Sequence, residues 1–193
     1  MMNRTIKRIL IIAISLSAAS CVKEKLATTY NNQETKIDQY ISSNMYVTSV
    51  ENGLSKTDTL RVVYNGGSNR LVMKEGNGDA LNHTGIATIY YAGYIFSGSK
   101  SSSNLFITNH EETAKSAGWE LSDSEDMYKV YRLNMADTDL ITGLKNGLIG
   151  VKSGEHCQIL FSGKYAFGKK AIGIIPANSA ILYEIWVEAV SND

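Results

Sequence analysis

Residues 140–190 read LITGLKNGLIGVKSGEHCQILFSGKYAFGKKAIGIIPANSAILYEIWVEAV, and their periodicities set the architecture. Leu140, Ile141, Leu144 and Leu148 recur at helical spacing, with Thr138 or Asp139 placed to cap the helix they line. Ser153-Gly154 marks a turn. Cys157, Ile159 and Phe161 then alternate as one face of a strand, with Cys157 a small buried hydrophobe. Tyr165-Ala166-Phe167-Gly168 and Gly173-Ile174-Ile175-Pro176 follow as a loop and a turn, the latter holding the only proline of the chain. A last strand sets Ile181, Tyr183, Ile185, Val187 and Ala189 on one side and Glu184, Trp186 and Glu188 on the other.

Upstream the strand period continues. Leu60–Tyr64 ends at Asn65-Gly66-Gly67, Arg70–Lys74 ends at Glu75-Gly76-Asn77-Gly78, and Ile86–Tyr94 is rich in β-branched and aromatic residues. The Gly76/Gly78 pair lacks the following helix that a phosphate cradle needs. Tyr128–Leu133 predicts one more strand. Residues 97–104 read as a polar, mobile loop and 105–127 as an irregular acidic segment, in which Trp119 pins the loop to the body. Asn31 with Glu34, then Ile37, Tyr40 and Ile41, predicts a short amphipathic helix over 33–43 that docks on the following domain. The sum is an α+β fold: an antiparallel curved sheet, a half-barrel, around one short helix, preceded by a short N-terminal helix.

The order and spacing of these pieces resemble the FKBP-type peptidyl-prolyl isomerases. The likeness is carried by Leu140-Ile141-Thr142-Gly143, Ser153-Gly154, Tyr165-Ala166-Phe167-Gly168, Gly173-Ile174-Ile175-Pro176, and Tyr91 with Gly93 in the third strand. It implies an FKBP-like domain over residues 49–193 with an enlarged loop at 97–127. It also implies cis-trans isomerisation of Xaa-Pro bonds by desolvation and twisting of the imide in an apolar pocket. Tyr91, Phe106, Ile141, Phe167 and Tyr183 take the catalytic positions, the Ile141 N–H donating to a peptide carbonyl. Tyr128, Leu140, Leu144 and Ile175 complete the substrate lining. Three positions depart from the family pattern. Leu144 stands where the best catalysts have Trp, Phe167 where a second Tyr is usual, and Ile107 where a carboxylate is expected. The departures predict a weak isomerase; the alternative is a catalytically silent FKBP-like module that binds peptide or protein.

Such chemistry needs neither cofactor nor metal, and His83, His110 and His156 are scattered without ligand spacing, reading as surface or loop residues. No G-x-S-x-G elbow is present, and Glu111-Glu112 reads as a solvated turn. With 19 basic and 19 acidic residues the chain carries no basic excess for nucleic acid. At the N-terminus, Arg4, Lys7 and Arg8 precede an apolar run, Ile9 to Ala19, that is shorter than the roughly 20 residues needed to span a bilayer. Ala18-Ala19-Ser20-Cys21 resembles the lipobox of Gram-negative lipoproteins, with Ala18 departing from the usual Leu; an ordinary cleaved secretory signal is the competing reading. The expected organisation is a signal peptide over 1–20, lipidation at Cys21, and a tether with its short helix over 21–48. The expected location is the cell envelope, at the outer membrane since Val22 is not Asp, with proline-containing polypeptides as clients.

Overall fold

The computed structural model describes residues 4–51, 54–120 and 127–192, with side chains from Lys23 onward apart from those at residues 50, 51 and 54. The start of the expected leader and the Cys21 side chain lie outside these. Between Arg4 and Asn44 the sequence has neither glycine nor proline, and the backbone forms one helix, α1 (Arg4–Asn44). The polar run 22–32, expected as a tether, is therefore helical, and the helix expected over 33–43 is its last part. Thr28, Thr29, Thr35 and Ser43 return their hydroxyls to carbonyls four residues back, which removes their competition with the helix.

An unexpected hairpin follows, β1 (Tyr46–Glu51) and β2 (Leu54–Thr59), forming a two-stranded sheet of its own. Its strands are polar along much of their length (Thr48, Ser49, Ser55, Lys56, Thr57, Asp58), so no apolar alternation announces them. The main sheet comprises β3 (Arg61–Asn65), β4 (Ser68–Lys74), β5 (Ile86–Phe96), β6 (Leu105–Thr108), β7 (Tyr131–Asn134), β8 (His156–Phe161) and β9 (Ala180–Ser191). Its order is β3-β4-β8-β9-β5-β6, with β7 also pairing β5, and all pairings are antiparallel. The antiparallel α+β expectation is met.

One face of the sheet receives α3 (Thr142–Leu148) and buries Ile89, Ile159, Phe161, Ile181 and Ile185. The opposite face receives α1, whose Ile37 and Ile41 are fully buried against Ala92, Tyr94, Leu160 and Leu182. Because both faces are covered, β9 is buried almost continuously, and Glu184 is buried too, held by His156 at 3.0 Å and Lys100 at 2.9 Å. Ala189 departs from the expected core face. The β5–β9 register shifts between Thr88 and Ile89, and Ala189 beyond the shift is exposed.

Three local expectations are corrected. Residues 105–120 are ordered rather than irregular: β6 is followed by α2 (Glu111–Ser116), and Trp119 packs on the α1-side core as expected. The stretch 121–126 lies outside the described residues. The polar loop 97–104 is pinned, Lys100 to Glu184 and the Ser97 carbonyl to Lys36, and includes a 3-10 turn at Ser102–Asn104. Finally, neither Thr138 nor Asp139 caps α3; Ile141 occupies the cap, and the Gly143 N–H donates to the Tyr165 carbonyl at 2.8 Å.

What anchors α3 is buried charge. Arg70 on β4 donates from one guanidinium nitrogen to the carbonyls of Gly147 (2.6 Å) and Ile149 (2.8 Å) at the helix C-terminus. Its Nε lies 3.2 Å from Glu155, whose side chain is inaccessible to solvent. Arg61 approaches Glu155 from the rim at 3.6 Å and is itself held by Glu75 at 2.7 Å. Removing one partner of a buried pair strands the other. Glu155→Ala is therefore expected to cost about 3–5 kcal/mol in denaturant unfolding, while Glu75→Ala, at the exposed end of the network, costs at most about 1 kcal/mol.

Candidate functional site

The cleft is built on an interruption in the sheet edge. Along β5, β7 pairs with Ile86–Ile89 and β6 with Ala92–Tyr94, which leaves the backbone around Tyr91 without a strand partner on that side. Asn109 fills the gap. Its carboxamide accepts from the Tyr91 N–H at 2.6 Å and donates to the carbonyls of Ile89 (3.2 Å) and Lys129 (3.0 Å). The Thr108 hydroxyl donates to the Tyr91 carbonyl at 2.7 Å. Buried backbone groups need partners, and here two side chains stand in for a strand.

Gly93 then lets three side chains converge. A Cβ there would meet Phe106 Cζ at 2.7 Å, Ile107 Cγ2 at 2.9 Å and Tyr183 Cε1 at 2.9 Å. Phe106 and Tyr183 meet edge-to-face at 6.0 Å, as do Tyr91 and Tyr131. The result is an apolar cleft of two lobes that share Ile107 and Tyr183. The inner lobe, about 180 Å³, has Leu140 and Leu144 of the α3 region facing Tyr91, Tyr131 and Tyr183. The outer lobe, about 420 Å³, lies between Phe106 and the loop bearing Phe167, Ile174 and Ile175.

Most of the predicted site residues come together: Tyr91, Leu140, Leu144 and Tyr183 around the inner lobe, Phe106, Phe167, Ile175 and Tyr183 around the outer. Ile141 packs beside them at the start of α3, and among the described residues nothing accepts from its backbone N–H. Tyr128 is the correction. It precedes β7, lines neither lobe, and has a buried hydroxyl without a partner among the described residues. Tyr131 takes the place expected for it. Strand parity carries that signal in the sequence: Leu133 points to the core, so Tyr131, two residues earlier, shares its face, while Tyr128 has the wrong parity. Asn109 carried no such signal, because its partners are backbone atoms. Ile107 borders both lobes, so no carboxylate stands at that point of the rim.

The lining holds no nucleophile or paired acid and base. Burial pushes the Tyr91 phenol above the ordinary tyrosine range, with the Tyr131 phenol adding to the effect. Burial pushes Tyr183 up further, and nearby Tyr91 contributes. Among the described residues no three His, Cys, Asp or Glu side chains gather as metal ligands. His110 lies in the loop before α2, as expected, while His156 lies in β8; the two stack on the two sides of Trp186, with centroids at 4.1 and 5.0 Å, on the far face of the sheet.

Comparison with known proteins agrees with this geometry. The sequence model for FKBP-type peptidyl-prolyl cis-trans isomerase matches residues 82–188, more than half of the chain. FK506-binding protein 1 of Aspergillus oryzae is 24% identical over 62% of this chain and 94% of its own length. FK506-binding protein 1A of Neurospora crassa is 30% identical over 39% of this chain and 63% of its own. Among solved structures, the three FKBP domains of wheat FKBP73 align at a TM-score of 0.55 with 19% identity, covering 71% of this chain. This chain spans about half, 53%, of that protein's length. FkpA from Escherichia coli aligns over 98% of this chain and 74% of its own, at a TM-score of 0.51 and 16% identity.

The two lobes make a simple prediction for titration. Tyr91 and Tyr183 should remain protonated where an ordinary tyrosine, with a pKa of about 10, has ionised. An alkaline titration followed by phenolate absorbance is expected to show a late class, and Tyr183→Phe should remove one member from it.

Proposed function

The chain belongs to the FKBP-type peptidyl-prolyl cis-trans isomerase family, and we propose that its cleft catalyses cis-trans isomerisation of Xaa-Pro bonds in envelope polypeptides. The observation that carries the proposal is the apolar inner lobe, with Leu144 as its floor, beside an Ile141 N–H that has no acceptor among the described residues. Amide rotation has a barrier of about 18–20 kcal/mol because resonance must be broken. A prolyl ring seated on Leu144 between Tyr91 and Tyr183 loses water, which disfavours the polar planar imide relative to the twisted one. The Ile141 N–H holds a carbonyl of the peptide. Phe106 and Phe167 close the outer lobe over the neighbouring residues. None of this requires a titrating group, and the raised phenols of Tyr91 and Tyr183 stay neutral.

The same lining argues for modest turnover. Phe167 lacks a hydroxyl, and a neutral hydrogen bond is worth roughly 0.5–1.5 kcal/mol, at most about a factor of ten in rate. Leu144 leaves the floor smaller than an indole would. Phe167→Tyr and Leu144→Trp are each expected to raise kcat/KM on a short Xaa-Pro peptide in a proline-turnover assay. Wild type and both variants all turning over at the uncatalysed rate would leave a silent peptide-binding module.

For location, we infer cleavage before Cys21, acylation of its thiol and anchoring at the outer membrane, on the strength of the Ala18-Ala19-Ser20-Cys21 pattern after an apolar run. The contacts that dock α1, from Tyr30, Gln33, Ile37 and Ile41, all follow Cys21, so processing there spares them. In a Gram-negative host, metabolic labelling with a fatty-acid analogue is expected to tag the wild-type protein and not Cys21→Ala. An untagged wild-type protein would point to the ordinary secretory signal.

A further inference from the structure

Gln33 lies on α1, well before the family match that begins at residue 82. It nevertheless closes the loop that walls the outer lobe. Its carboxamide donates to the Asn178 carbonyl at 2.7 Å and accepts from the Gly163 N–H at 2.9 Å. These are the two ends of the segment carrying Phe167 and Ile175. They lie so close that a Cβ on Gly163 would sit 2.2 Å from the Asn178 oxygen. Asn178 holds a left-handed conformation, with φ of 60°, and its N–H donates to the Gly168 carbonyl at 2.6 Å. The neighbouring side chains of α1 reinforce the contact: the Tyr30 hydroxyl donates to Asn178 Oδ1 at 2.9 Å, and Glu34 accepts from the Ser162 hydroxyl at 3.1 Å.

A carboxamide has one acceptor and two donors, so it can join two chain ends as a strand's peptide group would. Between those ends the loop has turn bonds, among them Gly168 N–H to the Gly163 carbonyl at 3.1 Å, and one β-bridge, Ile172 with Ile175, but no backbone bond joins Gly163 directly to Asn178. A loop closed this way is ordered before peptide arrives, so the ordering cost is not deducted from binding. We propose that Gln33 is a positioning residue for the cleft, holding the Phe167–Ile175 wall through Gly163 and Asn178. The proposal rests on the reading of the outer lobe as a peptide-binding surface. It assigns the N-terminal helix a part in the site and not only in attachment. Because the wall closes over residues flanking the proline while Leu144, Tyr91 and Tyr183 seat the ring itself, its loosening is expected to act on KM more than on kcat.

The test uses the full chain with Gln33→Ala, Gln33→Glu and, as a control for general destabilisation, Leu81→Ala, a fully buried site elsewhere in the core. Gln33→Ala is expected to raise KM for a short Xaa-Pro peptide about five- to tenfold, the low end of the range for two lost hydrogen bonds, with kcat held within about twofold. Amide exchange at Gly168 and Ile175 should accelerate in parallel. Gln33→Glu keeps the acceptor toward Gly163 but cannot donate to Asn178, and should fall between. Leu81→Ala should lower global stability while leaving KM and exchange at Gly168 and Ile175 alone. Unchanged KM and unchanged exchange in Gln33→Ala, or equal shifts in Leu81→Ala, would overturn the assignment. A wild type without turnover would sink the isomerase reading alone. The exchange comparison, with peptide affinity measured by chemical-shift titration, would still decide the role of Gln33.

Discussion

Arg70 is the side chain on which the rest of the fold depends. A helix as short as Thr142–Leu148 has no independent stability in water, since isolated helices shorter than about 12–15 residues are marginal. Its terminal carbonyls also lack intrahelical partners. Arg70 supplies donors to two of them at the C-terminal end. The same hairpin adds the Ser68 hydroxyl to the Gly143 carbonyl at 2.5 Å and the Asn65 amide to the Asn146 carbonyl at 2.9 Å. Burying that guanidinium costs several kcal/mol unless it is paired, and Glu155 is the pair. Burial pushes the Glu155 carboxyl up while Arg70 and Arg61 pull it back, so its charge and theirs are mutually required. The helix, and with it Leu144 and Ile141, stays where the cleft needs it because β4 reaches across with a cation.

The cleft itself depends on a missing stretch of strand. Had β6 and β7 formed one continuous partner for β5, the edge at Tyr91 would be sealed by backbone. Splitting them leaves room for an apolar hollow, and Asn109 and Thr108 satisfy the exposed backbone at little cost in volume. Gly93 permits Phe106, Ile107 and Tyr183 to meet over the same spot. On the opposite face, α1 and α2 cover residues that would otherwise meet water, including the buried carboxylate of Glu184. Burial alone would raise that carboxyl, but His156 and Lys100 outweigh it and hold it below the usual range.

How much of this was legible in the sequence divides along physical lines. Apolar periodicity located β3, β4, β5, β8, β9 and α3, because each buries a face against a neighbour. The hairpin Tyr46–Thr59 escaped because it buries little and carries polar side chains. The helical state of residues 22–32 escaped because polar composition suggests a tether, while the absence of any helix breaker was the better guide. Within the site, residues whose side chains make the wall were readable by type and spacing. Asn109 and Gln33 were not, because they act on backbone groups brought near by the fold, and nothing in a sequence marks an amide for that purpose. The resemblance put Tyr128 in the lining where Tyr131 stands, because β7 begins three residues later, an odd step that turns a side chain to the other face.

Cys157 faces the same interior as Glu155 and Arg70, fully enclosed in β8. Burial first, then the adjacent Glu155 carboxylate, pushes its thiol far above the ordinary range. Disulfide exchange proceeds through the thiolate and needs access for in-line attack. With this thiol locked neutral and out of reach, Cys157 offers no sulfur for exchange with another chain's disulfide while the domain stays folded.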